Sequence, residues 1–462
     1  MRRLQYVALA VAGAALVASG CANAPQARGS GAVNELITSR GAPAAAWPDA
    51  NPKAARVSDA DLVAAKTREP ITVKSAVDIA FLRSPAVREL YADLGISQAD
   101  VIGASEVASL KFGYVGLGAA GGGPSQITRS LSASFADLLL FPSRIRLANA
   151  NLEVVRNRTA AALLALQGQV ETAWYRYVAA LQSSQMREAA ARAAAASAEY
   201  ARRLSAAGNL RPRTLALELA AASEAQIAAA RTKAEATRAR AEFAALLGLS
   251  TRDAWQVAPG LPAIPQDTPS QEALVDAAVD SRLDVQAARR EAEALESVLK
   301  LTRWWRWLGD VEVGYERETE TDGTRLRGPT LSFGVPIFNW NRSGVLRAQA
   351  EVERAHVRLD QLELSVRNDV ALGLDRLATT REIADAYRTA LVPQREVVSQ
   401  RTLEELNFML SGAFEALQAK REQFEAYQEY TDSVRDYWLA RVQLRLAAGG
   451  ALADDDTHGE HK

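Results

Sequence analysis

The sequence predicts an α+β membrane protein: a long α-helical coiled-coil barrel joined to a transmembrane β-barrel, with four strands per protomer and two internal repeats. Three observations predict it. The chain duplicates itself at an offset near 200 residues, its helical patterns run far beyond globular lengths, and its strands alternate apolar with small or charged residues.

Bulk composition narrows the function classes. Net charge is −1 over 462 residues, so no basic field points to nucleic acid. No apolar run of eighteen residues follows the N-terminus, so the mature chain holds no transmembrane helix candidate, and membrane entry must use β-strands. One cysteine, Cys21, excludes an intramolecular disulfide and a Cys-rich metal site. The three histidines are His356, His458 and His461, the last two in the tail. There is no Gly-rich phosphate loop, Ser/His/Asp arrangement or metal-ligand spacing, so neither an enzyme nor a cofactor is expected.

Taken in order, Arg2 and Arg3 precede an apolar stretch Leu4 to Val17 and the small residues Ala18, Ser19 and Gly20, the pattern of a secretory signal over 1–20. Leu16-Val17-Ala18-Ser19-Gly20-Cys21 resembles a bacterial lipobox. That resemblance implies cleavage before Cys21 and its lipidation. In the lipoproteins this resembles, an Asp after the cysteine holds the protein at the inner membrane, so the resemblance, with Ala22 there, implies the outer membrane. Residues 21–70 hold Pro25, Pro43, Pro48, Pro52 and Pro70 without a sustained period, and read as a mostly irregular lipidated tether.

The first repeat is read at 71–250, a Pro-rich linker at 251–270, the second repeat at 271–449 and an acidic, His-containing tail at 450–462. Ser143, Ala148, Glu153, Arg158, Leu164, Val170 and Arg176 recur as Ser343, Ala348, Glu353, Arg358, Leu364, Val370 and Arg376. At offset 198, Ala76-Val77-Asp78 corresponds to Leu274-Val275-Asp276. Each half reads as a helix (74–105, 271–303), a strand pair, a very long helix (144–206, 343–410) and a returning helix (212–247, 413–447). Apolar spacings of three and four along the long helices form a coiled-coil seam. Gly208-Asn209 and Ser411-Gly412 supply the turns, where glycine's tolerance of the left-handed conformation is expected to end the helices.

Leu131, Ala133 and Phe135 alternate with Ser130, Ser132 and Ser134; Leu331, Phe333 and Val335 alternate with Thr330, Ser332 and Gly334. Val311, Val313 and Tyr315 alternate with Glu312, Gly314 and Glu316, and Lys111 to Gly118 completes the set. One apolar face and one small or charged face suit a wall between lipid and a wet lumen, with Glu312 and Glu316 facing the lumen. Trp304, Trp305, Trp307 and Trp340 stand at the strand ends, as interfacial aromatics do. Loops 118–126 and 317–328 are expected outside. Four strands cannot close a barrel, so copies must pool them: three give twelve, two give eight.

The order helix, hairpin, long helix, turn, returning helix, twice over, resembles the TolC-like outer-membrane factor family in its lipoprotein branch. Gly334-Val335-Pro336-Ile337-Phe338 followed by Asn341-Arg342-Ser343-Gly344 is similar to that family's junction between strand and long helix. Phe141-Pro142-Ser143-Arg144 is the first-half counterpart. The resemblance implies a homotrimer with a twelve-stranded barrel above a periplasmic helical tunnel, working passively with a periplasmic adaptor and an inner-membrane pump. It implies the exit duct of a tripartite efflux system for small molecules or metal ions. It also places a periplasmic gate near Glu415, where apolar packing by Phe408 or Phe414 is expected to hold the resting state shut. Glu415 read by itself is equally a solvated acid at a helix start. Export of secreted proteins, a periplasmic coiled-coil adaptor lipoprotein, and a tail (454–461) that either holds a divalent metal or is merely solvated remain alternatives.

Overall fold

The computed structural model describes residues 29–47, 62–106, 111–118, 125–265, 271–305, 311–333, 342–450 and 452. Its helices, in chain order, are α1 (Ser30–Thr38), α2 (Val73–Arg83), α3 (Pro85–Ser105), α4 (Phe135–Ala206), α5 (Pro212–Leu247), α6 (Gln271–Ser281), α7 (Leu283–Trp305), α8 (Arg342–Ala386), α9 (Val392–Asn407) and α10 (Ala413–Ala447). Strands β1 (Lys111–Leu117) and β2 (Gln126–Ser134) precede α4; β3 (Val311–Thr319) and β4 (Arg325–Phe333) precede α8. The signal and Cys21, Pro48 and Pro52, Trp307, Trp340, the 334–341 motif and the tail beyond Leu452 lie outside the described residues.

Two units divide the chain. One comprises residues 92–156 and 293–352 with the described start up to Ala32; the other comprises Val33–Tyr91, Asn157–Ala292 and the described chain from Glu353. The first unit carries an antiparallel sheet of order β1-β2-β3-β4, so the strand pairs of both repeats join into one ladder.

The second unit is helical. Along α10 the buried positions Ala416, Ala419, Gln423, Ala426, Ser433, Tyr437, Ala440 and Leu444 keep the three-and-four spacing of a coiled-coil seam. The seam is small near the α9–α10 turn and large towards the other end. Ala194 and Ala198 of α4 pack with Ala222 of α5, because alanine lets backbones approach closely. At Gly168 of α4 a Cβ would fall 2.5 Å from Leu446 Cδ1, so that crossing admits glycine alone without repacking.

Aromatic groups hold the inter-repeat segment. Ile71 bridges Val257 in parallel, and the Trp174 indole donates to the Ile71 carbonyl at 2.9 Å. The Trp438 indole donates to the Pro262 carbonyl at 2.9 Å and stacks on Tyr175. Tyr177, Phe243 and Trp255 form a second group. Each indole N–H removed from water thereby keeps a partner.

Four helix boundaries differ from the sequence reading. The expected helix 74–105 breaks at Ser84 (φ −57°, ψ 132°), because Pro85 pushes the residue before it out of the helical region. The expected helix 271–303 breaks at Arg282, the repeat-equivalent position at offset 198, with no proline to cause it. There the Ser281 hydroxyl donates to the Ala448 carbonyl at 2.9 Å, and Arg282 holds Asp284 at 2.6 Å. The first long helix starts at Phe135 rather than 144 and runs through Pro142, whose missing N–H forfeits one bond near the helix start. The second, expected over 343–410, ends at Asn407 and carries a π turn at Tyr387–Leu391. The Val392 N–H bonds to the Tyr387 carbonyl, and this wider turn accommodates Pro393, which can neither donate nor tolerate a normal turn before it.

The expected irregular tether is ordered in part. α1 buries Val33 and Ile37 completely. Asn34 accepts from the Trp47 indole at 3.0 Å and the Ala45 N–H at 3.1 Å, and Trp47 packs on Tyr91. Arg40 donates to the Ser281 carbonyl at 2.8 Å; burial lowers the pKa of its guanidinium. One polar side chain at each point thus fastens a short apolar helix that composition alone reads as loop.

Candidate functional site

The sheet has two chemically different faces. Cross-strand rows on one face are Phe112–Leu131–Tyr315–Pro329, Ala133–Val313–Leu331 and Val311–Phe333. Rows on the other are Gly113–Ser130–Glu316–Gly328, Lys111–Ser132–Gly314–Thr330 and Ser134–Glu312–Ser332. Phe112, Leu131, Val313, Tyr315 and Leu331 are exposed, whereas Glu312 and Glu316 are half-buried. The period-two pattern of the sequence thus becomes a sheet whose apolar face is the exposed one, the reverse of what water alone favours.

On the polar face Lys111 Nζ lies 2.5 Å from Glu312 Oε1, and Gln126 donates to Glu318. Glu318, Arg317, Arg325 and Arg327 fall in the stretch 317–328 that the sequence pattern assigns to a loop, whereas Lys111 falls in the expected strand 111–118. The structure shortens that connection to 320–324, closed by Gly323 at φ +88°. Continued alternation of Tyr315, Arg317 and Thr319 is the signal that marks these residues as strand. Val115, Leu117 and Leu326, near the turns, depart from the polar pattern of their face.

The two helix tips share one frame. After α4, the Gly208 N–H bonds to Ser205 (3.0 Å) and the Asn209 N–H to Leu204 (2.9 Å), with Gly208 at φ +75°. After α9, the Met409 N–H bonds to Leu406 (3.0 Å) and the Leu410 N–H to Glu405 (2.8 Å). Both are the glycine-type helix stop with a 6→1 bond. In the second, however, the left-handed residue is Met409 (φ 60°), and Gly412 is extended (φ −83°, ψ 152°) as the cap of α10. The expectation of a left-handed Gly412 is therefore corrected: the helix ends three residues earlier, and the stop falls on Met409. Met409→Gly is expected to raise stability by about 0.5–1 kcal/mol, since a side chain at positive φ costs more than glycine's extra freedom. Equilibrium unfolding of the two proteins checks it; an unchanged or lowered midpoint would refute the strain.

Glu415 stands exposed at the third position of α10 and accepts from the Ser411 hydroxyl at 2.7 Å and the Gly412 N–H at 3.2 Å. These two donors, the hydroxyl first, hold its carboxyl below the ordinary range. Its contribution to the tip is therefore present above the ordinary carboxylate pKa and lost as pH falls through the lowered value. Phe414 is half-buried, its ring 6.0 Å from that of Tyr200 in α4. Phe408, Met409 and Leu410 are 77%, 93% and 79% exposed. Among the described residues no helix is long and apolar enough to cross a membrane, and no cluster of three His, Cys, Asp or Glu could hold a metal.

No protein-family model and no curated protein matches the chain. Solved structures match its fold. A membrane protein from Pseudomonas aeruginosa is 19% identical with a TM-score of 0.70, over 82% of this chain and 92% of that one. The open state of the Neisseria gonorrhoeae MtrE outer membrane channel is 17% identical with a TM-score of 0.68, over 82% and 89%. The Campylobacter jejuni CmeC outer membrane channel is 13% identical with a TM-score of 0.69, over 82% and 85%. At such identities the likeness is one of fold: this chain folds as these solved outer-membrane channels do.

Proposed function

We propose that the chain is one protomer of a homotrimeric outer-membrane exit duct. It serves passively in a tripartite efflux system with a periplasmic adaptor and an inner-membrane pump. The observation that carries this reading is the sheet: four strands with an exposed apolar face and two unpaired edges, β1 and β4. Such edges are not tolerated in lipid, and four strands are too few to close. Pooling three copies gives twelve strands, removes every edge, and turns Glu312 and Glu316 towards a wet lumen. The likeness to solved outer-membrane channels supports the same reading. Membrane fractionation and single-channel recording test it: a heat-modifiable trimer in the outer membrane that conducts is expected, and a soluble monomer without conductance would overturn it.

Cys21 is proposed as the lipid anchor. Cys21→Ser is expected to abolish incorporation of a labelled fatty-acid precursor, and undiminished label would exclude it.

Glu415 is proposed to line the periplasmic gate, with Phe408 and Phe414 nearby and the turns at Gly208 and Gly412 marking the helix ends. Three carboxylates around one axis form a ring that selects cations. Glu415→Ala is expected to weaken cation preference and block by multivalent cations while leaving the trimer intact. Recordings indistinguishable from the parent would reduce Glu415 to its capping role.

A further inference from the structure

The exposed face of the sheet carries charge of one sign only. Arg129, Arg317 and Arg327 are consecutive cross-strand partners, and Tyr114 completes their row. Arg325 lies opposite Thr319 in the next row on the same face. Every carboxylate of the strands, Glu312, Glu316 and Glu318, sits on the opposite face. All four arginines are exposed, and among the described residues none forms an ion pair. In the nearby β3–β4 turn, Asp322 accepts from the Thr324 N–H at 2.8 Å.

Three like charges directly opposite one another destabilise a sheet unless an anion bridges them. The next row along the same face is wholly apolar: Phe112, Leu131, Tyr315 and Pro329. The arginine row therefore sits at an apolar boundary, at the strand ends that carry the hairpin turns. The opposite strand ends lead into the helices. If the helices stand in the periplasm, the arginines lie at the outer leaflet. Arginine costs least at such an interface, and its fork matches phosphate oxygens in pairs.

We propose that Arg129, Arg317 and Arg327, flanked by Arg325, bind the phosphate groups of phosphorylated glycolipid in the outer leaflet. Three protomers would set these rows around the barrel as a belt that fixes its depth. This inference rests on the transmembrane reading above.

The test compares the full-length parent with Arg129→Gln/Arg317→Gln/Arg327→Gln and with the corresponding triple Lys variant. Each is reconstituted into phosphatidylethanolamine vesicles containing bisphosphorylated or dephosphorylated lipid A. Glycolipid retained after re-extraction is measured by native mass spectrometry, and oligomer dissociation by heating. The parent is expected to retain the phosphorylated form and to dissociate at higher temperature with it. The Gln variant should lose roughly hundredfold in affinity, from about one charge–membrane interaction per arginine, while the Lys variant keeps most of it. Equal retention by parent and Gln variant, or equal retention of the dephosphorylated lipid, would overturn the proposal while both proteins still insert. Failure of all three proteins to insert would overturn the transmembrane reading, and this inference with it.

Discussion

Arg445→Met is expected to destabilise the helical unit by about 3–5 kcal/mol. Glu171 of α4 is 6% exposed at its side chain, and its carboxylate is held by Arg445, itself 18% exposed. The other donor to it is neutral: Gln167, one turn earlier, at 2.9 Å. Removing the guanidinium leaves a carboxylate without its countercharge in a site that water hardly reaches. Taking away both charges is different, because the desolvation cost of the pair disappears with its attraction. Glu171→Leu/Arg445→Met is therefore expected to recover most of the loss. Equilibrium unfolding in detergent measures both. A single variant within about 1 kcal/mol of the parent would mean that the pair is effectively solvated.

A second large effect is expected in the sheet. Val313 lies two rows from the arginines, about 10 Å along the membrane normal for strands tilted by about 40°. That places it near mid-bilayer in the proposed barrel. Val313→Arg is expected to cost about 2–4 kcal/mol of insertion free energy. Glu316→Arg, on the opposite face, should cost far less. Folding into vesicles, followed by protection from protease, compares the two. Equal penalties would mean that the sheet does not cross the membrane, or that its register is off by one residue.

Native arginines on this same face show why depth matters more than face. Arg317 and Val313 both point away from the carboxylates, yet only the first stands beside a turn. Their alternation is legible in the sequence. The cross-strand alignment of Arg129 with Arg317 is not, because these residues come from different repeats and meet only when β2 pairs with β3. The residues of the proposed gate divide similarly. A turn near 408–412 follows from Ser411 and Gly412, but the assignment of the left-handed residue to Met409 depends on where α9 stops.

The sequence by itself determined the duplication, the two faces of each strand and the approximate helix tips. These are local periodicities, and a chain that buries one face of a repeating element must display them. The tertiary structure decided the remainder. It broke α6 from α7 at Arg282 without a proline, because Ser281 reaches the Ala448 carbonyl while Arg282 holds Asp284. It fastened α1 through Asn34 and Arg40, whose partners Trp47 and Ser281 are separated by more than two hundred residues. It set three arginines side by side from two repeats. Ser281 with Ala448, Arg40 with Ser281, and Arg129 with Arg317 are each brought together from far apart in sequence, and no local pattern encodes which distant group will be near.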